Sequence, residues 1–489
     1  MMHPRKYVPY AWIAIVAVFL IRAPHPAASG SVDPDVYWHL LYGHWILDHL
    51  AIPTGDMWSW TVPGKAYSLT QWLGEVAIAG AERIAGETGK QTLAATLASL
   101  TILLSYKAAR CYLTNRTAAI MSALVGCTVM VSMTCRPHLF TFAGLAALSW
   151  IFAAQETSGR KWPLFLVPPI MALWVNLHGG YAFGLIYLWL HAGAAAVAAF
   201  TRNEMGKQRR TILLLCAVAL AGTVATAINP YGFNVWANTA AVGALKSVSA
   251  GLTEEWIPTN IRTNLGFAYL TVVLATIMSV AFSDKRPDMK DGLMLMALLV
   301  IGWWATRMSI MASILLVPII AKFFGHTAFY RLAFADKAKS EGRLHPLASL
   351  LIVAIIGTTG YLVGRSDKTI EKRIERDFPV EEVAFLKQHN FHGTIMNTME
   401  AGGYLIRYLG QPVFLDTRLD LYGDDYFFAF MQATAGADNW EAFMAKWSPD
   451  LVMLEHGMPL KTLLIQAGTY KVVFSGPRYT MLLKANLTL

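Results

Sequence analysis

The chain has 489 residues, of which 55% are hydrophobic and only 15% charged, with a mean hydropathy of +0.43. An ordinary soluble domain carries about 25% charge, so the composition excludes a single large water-soluble core. The formal net charge is +9, but the basic residues lie between apolar blocks. They are not interleaved with aromatics, so they offer nothing to a nucleic-acid partner and read instead as membrane-orienting charge.

The first apolar run, 8–21, follows Arg5 and Lys6. It is read as an uncleaved first membrane helix, although Ala27-Ala28-Ser29 has the small residues of a signal-peptidase site. A polar loop comes next, with a helix predicted over 36–47 and an amphipathic helix over 71–86. Glu75, Glu82 and Arg83 interrupt the second of these, so it is expected to lie at the interface rather than cross. Further spans are predicted at 91–110, 117–133, 138–155, 162–176, 178–200, 211–228, 264–283, 292–305, 307–323 and 346–363, each near the ~20 residues a crossing needs.

With 71–86 on the surface, the clusters Arg5/Lys6, Arg110/Arg116, Arg202/Lys207/Arg209/Arg210, Lys285/Arg286/Lys290 and Arg331/Lys337/Lys339/Arg343 all fall on one side. Basic loops stay cytoplasmic, which gives about eleven spans over residues 1–365. Beyond Gly364 the composition turns polar. Residues 366–489 are predicted to form a soluble α/β domain outside the cytoplasm, with strands at 394–396, 413–415, 451–454, 472–474 and 480–483 and helices at 380–388, 426–432, 440–446 and 460–466. The fold class is thus a polytopic α-helical membrane protein with a C-terminal α/β domain, and the expected location is the cytoplasmic membrane.

This topology collects the unusual polar residues on the outer face. The first loop holds Asp33, Asp35, His39, His44, Asp48, His49, Asp56 and Glu75. Later turns add Arg136-Pro137-His138, Asn176-Leu177-His178-Gly179-Gly180, Asn229-Pro230-Tyr231-Gly232, Glu254-Glu255-Trp256 and Arg307. Two readings stand for Asp33 and Asp35: they cap the following helix, or at least one works as a general base or cation ligand. Asp56 in Thr54-Gly55-Asp56 reads as a turn residue or a third ligand. Glu75 either faces solvent or has a function. His39 and His44 are five apart, poor spacing for a zinc site. Asn229-Pro230-Tyr231-Gly232 is first a helix terminator. Arg307, beside Trp303, Trp304 and Met308, either snorkels to the interface or binds an anion such as a lipid phosphate. Trp58, Trp60, Trp72 and Trp256 are expected in an interfacial belt. Cys111, Cys127, Cys135 and Cys216 lack metal spacing and read as buried thiols.

The paired acids of Asp33-Pro34-Asp35-Val36-Tyr37-Trp38-His39-Leu40, with Trp174-Val175-Asn176-Leu177-His178-Gly179 and Asn229-Pro230-Tyr231-Gly232, resemble the GT-C-type glycosyltransferases over roughly residues 1–365. Those enzymes take a sugar from a polyprenyl-phosphate carrier. In the tail, Glu400-Ala401-Gly402-Gly403-Tyr404-Leu405-Ile406 and Phe414-Leu415-Asp416-Thr417-Arg418 look like the start of the soluble domain of oligosaccharyltransferases, without that family's Trp-Trp-Asp motif. Read from their residues alone, Gly402-Gly403 is a turn and 416–420 a polar loop after a strand.

The resemblance implies a bacterial inner-membrane enzyme with an inverting mechanism, a polyprenyl-phosphate-linked sugar as donor and a glycan, lipid or protein acceptor. For such a reaction Asp35 or Asp33 is the candidate base. Arg307, His178, Arg136 and Glu255 are candidates for the donor-phosphate or acceptor region. Asp33, Asp35 and Asp56 are candidate ligands of Mg²⁺ or Mn²⁺; base and metal roles compete for the same two aspartates. Glycan transfer to protein and a transporter or flippase of lipid-linked saccharide are the alternatives. The second places charges near mid-membrane and often shows repeats, which this chain lacks.

Overall fold

The computed structural model describes residues 33–132, 134–246, 255–334, 372 and 374–489. The predicted spans 8–21 and 346–363, and Glu254, lie outside them.

In chain order the helices begin with α1 (Asp35–His49) and α2 (Trp72–Arg110). There follow α3 (Arg116–Cys127), α4 (His138–Ser158), α5 (Val167–Leu177), α6 (Tyr181–Thr201), α7 (Met205–Ala225), α8 (Asn234–Ala244), α9 (Asn264–Ala281), α10 (Met289–Trp304), α11 (Thr306–Phe324) and α12 (Ala328–Phe334). Every predicted span among the described residues is helical. Six of these helices (α2, α4, α6, α7, α9 and α11) are long and apolar enough to cross a membrane, and the protein is a polytopic helical membrane protein. The helix α2 is interrupted at Ala85 and at Gly86, where φ is +59°. Only the part after the break is read as crossing, since 39 residues would reach far beyond a ~30 Å hydrocarbon layer.

Two compact units result. One contains 85–239 and 253–364; the other joins 29–84 and 240–252 to 365–489.

In the first unit α11 is the buried helix. It is apolar nearly all round, as a helix surrounded by others must be, and its buried residues run from Ser309 to Phe323. Gly126 on α3 lets it approach closely, because a Cβ there would stand 2.2 Å from Val317 Cγ2; small residues serve this purpose where burial from water cannot drive helix contact. The buried charges are paired: Lys322 bonds Glu156 and Asp291, both at 2.7 Å, and Lys290 bonds Glu156 at 2.8 Å.

The second unit carries a four-stranded sheet in the order β1-β2-β4-β3. Its strands are β1 (Ile395–Met396), β2 (Leu451–Glu455), β3 (Tyr470–Ser475) and β4 (Tyr479–Lys484). The β1/β2 pair is parallel and the other two are antiparallel, with a register irregularity between Val472 and Phe474. Four predicted tail helices are present as α13 (Val380–Gln388), α16 (Asp424–Thr434), α17 (Trp440–Trp447) and α18 (Pro459–Gln466). Two more were not foreseen, α14 (Met399–Leu409) and α15 (Leu419–Tyr422).

Three expectations are corrected here. The predicted strand 413–415 is only a single bridge, Val413 to Ser59, because side chains take its remaining backbone groups. Asn397 accepts from Phe414 N at 2.9 Å and donates to Leu415 O at 2.7 Å, while Thr61 and Tyr426 donate to Phe414 O. Gly402-Gly403 is the middle of α14, not a turn. A Cβ at Gly402 would lie 2.2 Å from Leu415 O, and one at Gly403 2.8 Å from Pro34 O, so the glycines serve close packing. Trp58 and Trp60 pack in the core of this unit rather than in a belt, with the Trp60 indole donating to Ile395 O at 3.1 Å.

Candidate active site

Two constellations hold all the sequence-predicted site residues, one in each unit.

In the second unit, the N-terminus of α1 presents Asp33 and Asp35. The Asp35 amide donates to Asp33 Oδ1 at 3.0 Å, so Asp33 supports the backbone of the helix start, where N–H groups lack intrahelical partners. Asp35 lies in the first turn and accepts from the Trp38 indole, three residues on, at 3.4 Å. The same indole N–H lies 3.0 Å from Thr417 Oγ1 of the tail.

Beneath this motif the first loop and the tail share a buried charge network. Arg418, 1% exposed, forks onto Asp416 through Nε (2.8 Å) and Nη2 (2.5 Å), and donates from Nη1 to Asp56 (2.8 Å) and to the Tyr42 hydroxyl (2.7 Å). The rings of Tyr42 and Tyr67 flank the guanidinium. Asp56 also receives the Ser59 amide at 2.8 Å and its hydroxyl at 2.5 Å. It is therefore committed to Arg418 and its own turn. Among the described residues no group of three His, Cys, Asp or Glu side chains is placed to hold a metal ion, so Asp33, Asp35 and Asp56 are not brought together as a ligand set. The donor set does not fit the expected Mg²⁺ or Mn²⁺.

Glu75 is fully buried, not solvent-facing, with Oε1 3.0 Å from His39 Nδ1. Burial pushes its carboxyl well above the usual range, and the Arg418 charge offsets this only in part. His44 pairs with Glu82 at 2.6 Å, and Arg407 reaches the same Glu82 oxygen at 3.2 Å.

In the first unit, Arg136, Glu255, Arg307 and His178 do come together. Glu255 accepts from Arg136 Nη1 at 2.8 Å and pairs with Arg307 Nη1 at 3.2 Å. Its place is set by backbone pairing along the α10–α11 turn: Arg307 N to Glu255 O and Thr306 N to Ile257 O, both 2.9 Å. The Arg307 charge, with Arg136 behind it, holds the Glu255 carboxyl well below the ordinary carboxylate range against the effect of burial. Arg307 also lies over the Trp256 ring at 5.8 Å. His178, between α5 and α6, accepts at Nδ1 from the Gly180 amide (3.0 Å), with the Thr141 hydroxyl 2.7 Å from the same nitrogen. Burial lowers its basicity, so it is a neutral ring protonated on Nε2. Asn176 and Asn229 spend their side chains on helix-end carbonyls.

Sequence reasoning missed Arg418 and Asp416 as buried groups. The available signal was an acid and a base two apart directly after an apolar run; their partners Tyr42 and Asp56 are far upstream.

No family model and no curated protein matches the sequence. A comparison of structures does find similarity, and it shows a shared fold. The particular likeness is to ArnT from Cupriavidus metallidurans bound to undecaprenyl phosphate, with a TM-score of 0.53 and 14% identity. It covers 96% of this chain and 98% of that one. ArnT in the apo state gives a TM-score of 0.44 at 12% identity, over 97% and 98%. At these identities the likeness is one of fold, and it extends no support to the oligosaccharyltransferase reading of the tail.

Proposed function

We propose that the protein is a glycosyltransferase of the bacterial inner membrane. It moves a sugar from a polyprenyl-phosphate-linked donor to an acceptor hydroxyl outside the cytoplasm, where the 366–489 domain lies. The observation that carries this reading is the convergence of Arg136 and Arg307 on one carboxylate. Two guanidinium groups aimed at one anion are what a phosphate group needs, and a relative in fold is bound to undecaprenyl phosphate.

In the reaction the acceptor oxygen attacks the anomeric carbon, and its proton passes to Asp35. The bond from that carbon to the phosphate oxygen breaks, and polyprenyl phosphate leaves with the bonding pair. A single displacement inverts the anomeric centre. Asp35 is preferred to Asp33 as base because Asp33 already serves the helix backbone. Within the first unit by itself, Arg136 and Arg307, held by Glu255, form the candidate phosphate-binding cluster, and neutral His178 offers a further N–H donor there. No step is routed through a metal ion.

The test uses full-length protein in nanodiscs with a panel of undecaprenyl-phosphate-linked sugars and an envelope lipid and glycan extract as the source of acceptor hydroxyls, following release of undecaprenyl phosphate. At least one donor is expected to turn over, and Asp35→Asn to abolish turnover, a loss of 10²-fold or more. Full activity in Asp35→Asn would remove Asp35 from the mechanism, and no turnover of any donor would overturn the reading.

A further inference from the structure

The tail domain has no chemistry assigned to it by the reaction above, yet one of its hydroxyls sits one hydrogen bond away from the candidate base. The Trp38 indole has a single N–H to give. It is aimed at two acceptors, Thr417 Oγ1 at 3.0 Å and Asp35 Oδ1 at 3.4 Å. The shorter contact takes the larger share. Thr417 itself stands between Asp416 and Arg418, whose fork is fully buried and tied to Tyr42 on the same helix as Asp35. Trp38 is buried, and its ring lies tilted at 38° to that of His39 with centroids 3.7 Å apart, so the indole is held where both acceptors lie within reach of its one N–H.

We infer that Thr417 is a positioning residue for Asp35: it holds the Trp38 N–H partly away from the carboxylate and so limits how far that donor stabilises the charged form. A hydrogen bond donated to a carboxylate stabilises its charged form and weakens it as a base. The tail thereby tunes the motif through one shared donor. This inference rests on the reading of Asp35 as base.

The experiment reads the carboxyl directly and needs no substrate. Full-length protein in nanodiscs is treated with a water-soluble carbodiimide and an amine across a pH series, and labelling of Asp35 is followed by peptide mass spectrometry. The reagent consumes the protonated form. In Thr417→Val the indole N–H passes wholly to Asp35. The labelling midpoint then moves to lower pH, and labelling at a fixed mildly acidic pH falls on the order of threefold, the worth of part of a hydrogen bond. Thr417→Ser, which keeps the acceptor, restores the parent profile. Among the described residues, the charged and titratable groups on elements packed about this helix include Asp33, Tyr37, His39, Tyr42, Glu75, Glu82, Glu400, Tyr404, Arg407, Tyr408, Asp416 and Arg418. None is altered by either substitution.

An unchanged midpoint in Thr417→Val, or a shift that Thr417→Ser shares, overturns the inference. The turnover of Asp35→Asn tests the catalytic reading separately. A dead Asp35→Asn with an unmoved Thr417→Val midpoint refutes the positioning role alone, and an active Asp35→Asn with a moved midpoint refutes only the assignment of Asp35 as base.

Discussion

Replacing Arg307 with alanine is the perturbation whose size follows most directly from the structure. Arg307 and Arg136 share Glu255, at 3.2 and 2.8 Å, and under the proposed function a donor phosphate would draw on both guanidinium groups. A hydrogen bond to a charged partner contributes about 1.5–3 kcal/mol. The Arg307 side chain is 21% exposed, so screening places its contribution at the lower end of that range. At ~1.4 kcal/mol per tenfold, Arg307→Ala is expected to raise the Kd for undecaprenyl phosphate about ten- to thirtyfold. The assay is a titration of nanodisc-embedded protein with undecaprenyl phosphate, read by native mass spectrometry. Arg262→Ala serves as control, since Arg262 is exposed on the connection that carries Glu255 and makes no side-chain ion pair among the described residues. An unchanged Kd in Arg307→Ala, in protein that unfolds at the parent temperature, would refute the phosphate role and return Arg307 to an interfacial anchor. The Glu255 carboxyl is held well below the usual range. Its contribution is therefore fully present above the unfolded value near 4.3 and fades only as pH falls towards its lowered folded value. Between pH 5 and 8 the cluster stays charged, and any pH dependence of binding in that window belongs to the phosphate.

Two further outcomes test the second unit. Arg418→Met leaves Asp416 and Asp56 buried without their counter-ion and is expected to cost about 3–5 kcal/mol, read as a lower denaturation midpoint; a neutral result would show that the fork is not a structural tie. Glu75 has its carboxyl pushed up in the folded state, so its stability contribution is fully present below the unfolded value and is lost as pH rises towards the folded one. Glu75→Gln should flatten the decline in stability expected of the parent as pH rises above the unfolded carboxyl value near 4.3, and equal slopes in the two proteins would refute burial of the acid.

Much of the architecture was legible because membrane spans and amphipathic helices are local patterns. The predicted spans within the described residues and four tail helices are present for that reason. Where expectation failed, a long-range contact had replaced a local rule. Gly402-Gly403 obeys the turn rule in isolation, but the same pair is what a helix needs when Leu415 and Pro34 carbonyls lie against it. The run 413–415 has strand composition, and only the side chains of Asn397, Thr61 and Tyr426 keep it out of the sheet.

The same distinction separates the two candidate sites. Arg307 stood out because a charge in an apolar stretch has no cheap place to go, and its neighbours Arg136 and Glu255 stood out as polar groups at the outer turns of the same spans. The membrane supplies a background against which such residues are conspicuous. Arg418 sits instead in a polar stretch of a soluble-looking domain, where an arginine between acids is ordinary. Its burial arises only when Asp56 and Tyr42, more than three hundred residues upstream, close over it. That closure gives the tail a physical reason to accompany the Asp33/Asp35 motif. The helix carrying Asp35 packs against α14 and is tied through Tyr42 to Arg418, so the position of its carboxylate depends on the packing of the tail core.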